Sequence, residues 1–261
     1  LVFSANGAGN VVISELDAVS VSGSSGSGAI AVTTDDGNLT VGGAIATSGD
    51  IALDADDNLL FNSAVNGDGV QLVAGCNITQ TASGIITADV LGGSSGGSTT
   101  LSEVNQVNTL ASFDTNGFAV RNGRTPTVGT GAVVEGGNGN IAITTAGNLL
   151  INGTLQADHP VIVGGVATPG DGTVTLNSAG TIVEGVGGLI IADVLTGSAV
   201  GTATFGTENA FILNRIGTVS DFEVNGAGRG PTQLGFSITN NTTLRVNGID
   251  ATGQTTYIGV T

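Results

Sequence analysis

"GNLTVGGAIATSGDIALDADDNLLFNSAVNGDGVQLVAGCNIT" occupies residues 37–79, and its internal spacing decides the fold. Asn38 opens "NLTV", Asn58 opens "NLLF" and Asn77 opens "NIT", a nearly constant step of about 20 residues. "AIAV" at Ala29, "IAL" at Ile51 and "VQL" at Val70 advance at nearly the same step. Between these anchors lie short apolar runs separated by Gly, Asn, Asp or Ser. Runs so short, rich in Val and Ile and bounded by turn formers, read as strands rather than helices. Two or three short strands in each step of about 20 residues make one coil of a β-solenoid, whose successive coils pair in parallel about 4.8 Å apart and stack equivalent side chains. The expected fold class is all-β, a parallel β-helix with about 20 residues per coil.

A longer period overlies the short one. "GIITADVL" at residues 84–91 returns as "GLIIADVL" at residues 188–195, 104 positions later. Upstream, "TTDDGNLTVGG" at 33–43 answers "TTAGNLLING" at 144–153; downstream, "LASFDTNG" at 110–117 answers "VSDFEVNG" at 219–226, and "GRTPT" at 123–127 answers "GRGPT" at 228–232. The chain therefore reads as one solenoid over residues 1–261, carrying a tandem duplication of roughly 105 residues, about 30–134 and 141–240. In the octapeptides the Ile, Val and Leu positions are expected to line the interior, with Asp89 and Asp193 turned to solvent. Asn38, Asn58 and Asn77 are expected to form a column of amides that hydrogen-bond from coil to coil.

The run from Gly37 to Leu91, with its repeated Gly-Asn-Leu and Gly-Asp-Ile-Ala-Leu coil openings, resembles the passenger regions of filamentous-haemagglutinin-like exoproteins of Gram-negative bacteria, of the two-partner-secretion and autotransporter-adhesin kind. The resemblance covers nearly the whole chain and concerns architecture more than activity. It implies a right-handed parallel β-helix, exported through the outer membrane and used at the cell surface for adhesion, aggregation or matrix formation, with a host or matrix glycan or protein as receptor. The "NPNG"-type motifs of the N-terminal secretion module do not occur, which predicts an internal segment or processed product of a longer chain.

Charge limits the partners. The chain carries 21 carboxylates against five cations, all Arg, for a formal net charge of −16. Such a surface repels phosphate backbones and anionic lipid, disfavouring nucleic acid and membrane docking, and no apolar run is long enough to predict membrane insertion. Cys76 is the single cysteine, so an intramolecular disulfide is impossible and a small buried thiol is expected. His159, the only histidine, lies far from it in sequence.

Acidic residues gather at Asp35 and Asp36 and again at Asp54, Asp56 and Asp57, which the coil step places on neighbouring coils. Stacked carboxylates repel one another, which calcium with its preference for oxygen ligands would relieve; the default reading is solvated turn carboxylates with no cofactor, since the β-roll calcium nonapeptide is absent. Two carboxylates on adjacent coils could also flank a sugar, the arrangement a polysaccharide-binding or polysaccharide-cleaving β-helix enzyme would use. Against this, no Arg precedes Arg121, and aromatic platforms are scarce, with one Tyr, no Trp and eight Phe. No catalytic residue is assigned.

Two further features point to self-association. Arg124 and Arg229 occupy matched places in "GRTPT" and "GRGPT", beside prolines that cannot join a sheet ladder, so each either ties a loop or meets a neighbouring acidic face. The segments around Val2 and Phe3 and around Tyr257, Ile258 and Val260 read as strands without helical caps, open to head-to-tail stacking into a filament or to further coils of a parent chain.

Overall fold

The computed structural model describes residues 1–5, 7–157, 161–163, 166–168, 171–206, 214–225 and 235–251, the side chains of 161–163, 166–168 and 251 excepted. Among them every regular element is a strand, and parallel strands stack as a β-solenoid with coils roughly 21 residues apart. The chain divides into two units, Leu1–Gly123 and Arg124–Thr261.

In the first unit, strand Ile51–Ala55 shows how the sequence makes a coil wall. Ile51, Leu53 and Ala55 are buried while Ala52 and Asp54 face solvent, the period-two alternation of a half-buried strand. It pairs in parallel with Ile30–Thr34 on one side and Gly69–Ala74 on the other. The register links Val11, Ile30, Ile51, Val70, Leu91 and Leu110 into one evenly spaced column. A second column runs through Val19, Leu39, Leu59, Ile78, Thr99 and Phe118. From Ile30 upward the apolar members of these columns are buried, and each such side chain withdrawn from water is worth about 1.5–3 kcal/mol. At the first level the inward positions Phe3, Val11, Ile13 and Val19 are only half-buried.

The octapeptide corrects one expectation. In strand Ile86–Ser95 the residues Ile86, Ala88 and Leu91 are buried, but Val90 is 39 % exposed, and Ile85, just ahead of the strand, is exposed too. Asp89 N–H and Val90 N–H both donate to the Asp68 carbonyl, at 2.9 and 3.2 Å, so one acceptor serves two residues and the inward phase slips by one. The second copy repeats this at Asp193 and Val194, which share the Gly172 carbonyl at 2.9 and 3.3 Å, leaving Val194 half-buried. Beyond the slip, Gly93 pairs with Phe113 and Gly197 with Phe222. A Cβ on either glycine would collide with the carbonyl of Leu72 or Leu176 below, so only glycine fits beneath the phenylalanine of the next coil.

In the second unit the matching column runs Ile141, Val174, Leu195, Val219 and Val246, and its spacing is uneven, widest between Ile141 and Val174. That widest step contains the antiparallel pair Val161–Val163 and Val166–Thr168. Strand register relates the two units residue by residue. Ile51 and Leu59 match Ile141 and Leu149 at an offset of 90; Val70, Ile78 and Leu91 match Val174, Ile182 and Leu195 at 104; Leu110 and Phe113 match Val219 and Phe222 at 109; Phe118 matches Phe236 at 118. The sequence match between 33–43 and 144–153 is therefore one coil out of step, because neighbouring coils resemble one another as closely as the copies do. The extra residues of the second unit enter between Ala157 and Val174, between Phe205 and Asn214, and between Val224 and Phe236. The core keeps its pattern: Phe113 and Phe118 pack at 4.8 Å between ring centroids, and their counterparts Phe222 and Phe236 at 5.2 Å, with Phe205 joining them.

Candidate functional site: a duplicated column of buried polar side chains

The exposed asparagine column forms as the sequence predicts. Asn58 Nδ2 donates to Asn38 Oδ1 at 2.9 Å and Asn77 Nδ2 to Asn58 Oδ1 at 3.3 Å, while each carbonyl oxygen also accepts the backbone N–H of the residue above it. Ser98 ends the ladder, its N–H and hydroxyl both donating to Asn77 Oδ1. All these groups are bonded to one another along the turn edge of the coils.

The acidic residues are not gathered. Asp35, Asp36, Asp54 and Asp56 are exposed and Asp57 is half-buried. Asp54 lies mid-strand, with Thr33 and Val73 as its cross-strand neighbours, whereas Asp35, Asp36, Asp56 and Asp57 lie on the turn. Among the described residues no three acidic, His or Cys side chains group so as to hold a metal ion, Asp35, Asp36, Asp54, Asp56 and Asp57 included. Cys76, expected in the core, sits instead on that turn, half-buried, with Sγ 4.0 Å from Asp57 Oδ1.

Of the residues assigned to association, Val2 and Phe3 lie on strand Val2–Ala5, which pairs with Val19–Ser25; Val2 is 81 % exposed and Phe3 half-buried. Arg124 is half-buried in the bend that follows Asn122. Arg229, Tyr257, Ile258, Val260 and His159 lie outside the described residues.

The most ordered polar chemistry was not singled out from the sequence. In the first unit Gln80 stands just after Ile78, where the chain leaves the strand. Its Nε2 donates to the Gly84 carbonyl at 2.7 Å and to Asn105 Oδ1 at 2.8 Å, and its Oε1 accepts Glu103 N–H at 3.1 Å and Asn105 Nδ2 at 3.2 Å. Asn105 is fully buried. Its Oδ1 also accepts Ile86 N–H, inside the octapeptide, and its Nδ2 donates to the carbonyls of Leu101, Glu103 and Arg121. One coil further, buried Asn122 closes on Val107, accepting its N–H at 2.9 Å and donating to its carbonyl at 2.8 Å. These amides replace the backbone partners that a coil corner interrupts, which is why polar side chains are tolerated inside the stack.

The second unit holds the same column with one exchange. Glu184 takes the place of Gln80, Asn214 that of Asn105 and Asn240 that of Asn122. Asn214 Oδ1 accepts Ile190 N–H of the second octapeptide at 2.7 Å, and Asn240 Oδ1 accepts Ile216 N–H at 2.9 Å. Glu184 Oε2 accepts Asn214 Nδ2 at 2.7 Å and Gly206 N–H at 3.1 Å. Glu184 is 1 % exposed, and burial pushes its pKa from 4.5 up to about 7 against the opposing pull of the hydrogen bonds from Asn214 and Gly206. The signal available in the sequence was the pair "NQV" at Asn105 and "NRI" at Asn214, each an asparagine two positions before an inward aliphatic.

Surface grooves are present as well. One, of about 510 Å³, is lined by Ser24, Ser25, Thr47, Asn66 and Asp68; the Ser25 and Thr47 hydroxyls donate to the Gly9 and Gly28 carbonyls. Another, of about 310 Å³ in the second unit, is lined by Asp221, Glu223 and Asp250, with Glu223 directly beside Asp250 in the ladder. Among the described residues no helix is long and apolar enough to cross a membrane. Comparison of the chain with protein-family models, curated proteins and solved structures finds no match.

Proposed function

We propose that the chain is an extracellular structural or adhesive segment of a large secreted protein of a Gram-negative bacterial surface, a right-handed β-helix that stacks with further coils of its parent chain or head to tail with copies of itself into a filament. The observation that carries this reading is the first level of the first unit. Strands Val2–Ala5 and Val11–Glu15 pair on one side only among the described residues, and Val11 and Ile13 are half-exposed where their counterparts one coil on, Ile30 and Val32, are buried. A parallel coil laid along these strands would bury that apolar cross-section and pair its free backbone groups. An acidic coat free of lysine keeps long stacks apart sideways and leaves glycans or proteins of a host or matrix as receptors.

Sedimentation tests the stacking. The chain should form concentration-dependent oligomers that persist in half-molar salt, because hydrogen bonds and buried aliphatics are not screened. Val11 N–H donates to the Ala29 carbonyl, so the next N–H along the strand, that of Val12, points to the unpaired edge. Val12→Pro should then abolish association without disturbing the ladder, whereas a monomer in every condition sinks the stacking reading. A second reading, polysaccharide cleavage, draws on the Asp221–Glu223–Asp250 groove, since glycosidases use paired carboxyl groups. Release of reducing ends from acidic polysaccharides that Glu223→Gln abolishes would favour it instead.

A further inference from the structure

The outer face of the wall that contains Ile51–Ala55 differs between the two units. In the first, an outward column runs through Ala52, Gln71 and Gly92, with Gly69 and Val90 paired beside it. In the second, Thr173 pairs with Val194 as Gly69 does with Val90, and Thr175 with Thr196 as Gln71 does with Gly92. Two threonine side chains thus stand where the first unit has two glycines. The first unit has a pocket of about 250 Å³ at this place, walled by Ala52, Val90 and Ala111 and rimmed by Asp50 and Gln71. A Cβ on Gly92 would lie 3.1 Å from the Ala111 Cβ and 3.2 Å from Gln71 Oε1, and one on Gly69 would lie 2.8 Å from Asp50 Oδ1. Both glycines therefore open into the pocket, and a side chain on either would take up its space.

The chemistry of the pocket has two parts. Ala52, Val90 and Ala111 offer methyl groups to an aliphatic side chain. Round them the charge is of one sign. Asp50 is on the rim, Asp68 and Asp89 immediately precede Gly69 and Val90, and all three are exposed. The sequence has no Arg or Lys before Arg121. In the second unit Asn140 takes the place of Asp50: its Oδ1 accepts Thr173 N–H at 2.9 Å, as Asp50 Oδ1 accepts Gly69 N–H at 3.0 Å. An amide does that work as well as a carboxylate, so the ladder does not require the charge at Asp50.

We propose that the pocket over Gly69 and Gly92 is a docking site for a basic segment of a partner protein, with one aliphatic side chain seated in the pocket and cations on either side of it meeting Asp50, Asp68 and Asp89. The proposal rests on the adhesive reading above and names the chemistry of its receptor, an extended stretch in which Lys or Arg flanks Leu, Ile or Val. The apolar walls supply affinity, and the acidic rim selects against acidic partners.

Fluorescence anisotropy on the whole chain with three short, labelled, end-blocked peptides tests this, one alternating Lys and Leu, one Lys and Ala, one Glu and Leu. The Lys–Leu peptide should bind roughly tenfold or more tightly than the Lys–Ala peptide, and the Glu–Leu peptide should not bind. Ala52→Gln, at an exposed position, and Gly92→Ala, which narrows the floor, should each bring Lys–Leu affinity down to the Lys–Ala level. Asp50→Asn should weaken both lysine peptides about threefold and leave the melting temperature unchanged. Equal affinity for the two lysine peptides, or undiminished Lys–Leu binding in both filled variants, would overturn the site. So would displacement of the bound peptide by cellohexaose, which would assign the pocket to a sugar chain. Sedimentation of the same samples reads the stacking separately, so oligomers that bind no Lys–Leu peptide overturn this site and leave the stacking reading standing.

Discussion

The first unit keeps nearly even coils with an amide at the buried corner; the second stretches its coils, most of all between Ile141 and Val174, and puts a carboxyl at the same corner. What survives the divergence is instructive. The aliphatic columns, the paired phenylalanines, the shared carbonyl at Asp68 or Gly172 and the asparagines that bond the octapeptide all keep their places. The added residues enter where strands are joined, since a coil's interior has a fixed cross-section whereas a turn can lengthen at little cost in closure entropy.

The comparison can be broken first at the core. Leu91→Asp, which puts a carboxylate into the column linking Val70 and Leu110, should cost about 4 kcal/mol or more, and the same should hold for Leu195 in the second unit. Its neighbour Val90, turned outward by the shared Asp68 carbonyl, should accept Asp for under about 1 kcal/mol. Chemical denaturation of the pair reads the difference, and equal losses would mean that the strand does not slip phase. Next come the buried asparagines. Asn105→Leu strands the Ile86 N–H and the carbonyls of Leu101 and Arg121, and Asn214→Leu strands Ile190 N–H, so each should lose about 3 kcal/mol by denaturant midpoint. On the exposed ladder Asn58→Ala should lose only about 1 kcal/mol, since water replaces the bonds. The smallest effect expected is that of millimolar calcium, which should leave the melting temperature where chelator leaves it, because Asp54 stands apart from the turn carboxylates.

The solenoid was legible from the sequence because its cause is periodic: each coil of Ile51–Ala55 type repeats an apolar alternation bounded by Gly, Asn or Asp, and the ladder through Asn38, Asn58 and Asn77 keeps that same period. The corner column was not legible. Gln80, Asn105 and Asn122 fall at no fixed step, because each sits where a strand bends and not where it repeats. Nor could Val90 be placed, since two N–H groups sharing one carbonyl is a feature of the neighbouring coil, absent from the octapeptide itself. The arrangement of Asp35, Asp36, Asp54, Asp56 and Asp57 was not legible either, because the coil step brings Asp54 near the Asp35–Asp36 turn along the axis yet says nothing of which coil face each occupies.

Thermal melting of the wild type and Glu184→Gln at about pH 5 and at about pH 8.5 tests the equivalence of the two corners most directly. A carboxyl with a folded pKa of about 7 and an ordinary value of 4.5 costs the fold on the order of 3 kcal/mol once ionised in both states. The variant, with an amide where the first unit has one, should therefore melt within a degree or two of wild type near pH 5 and roughly 5–10 °C above it near pH 8.5. A variant that melts no higher than the wild type at the alkaline pH would contradict the account.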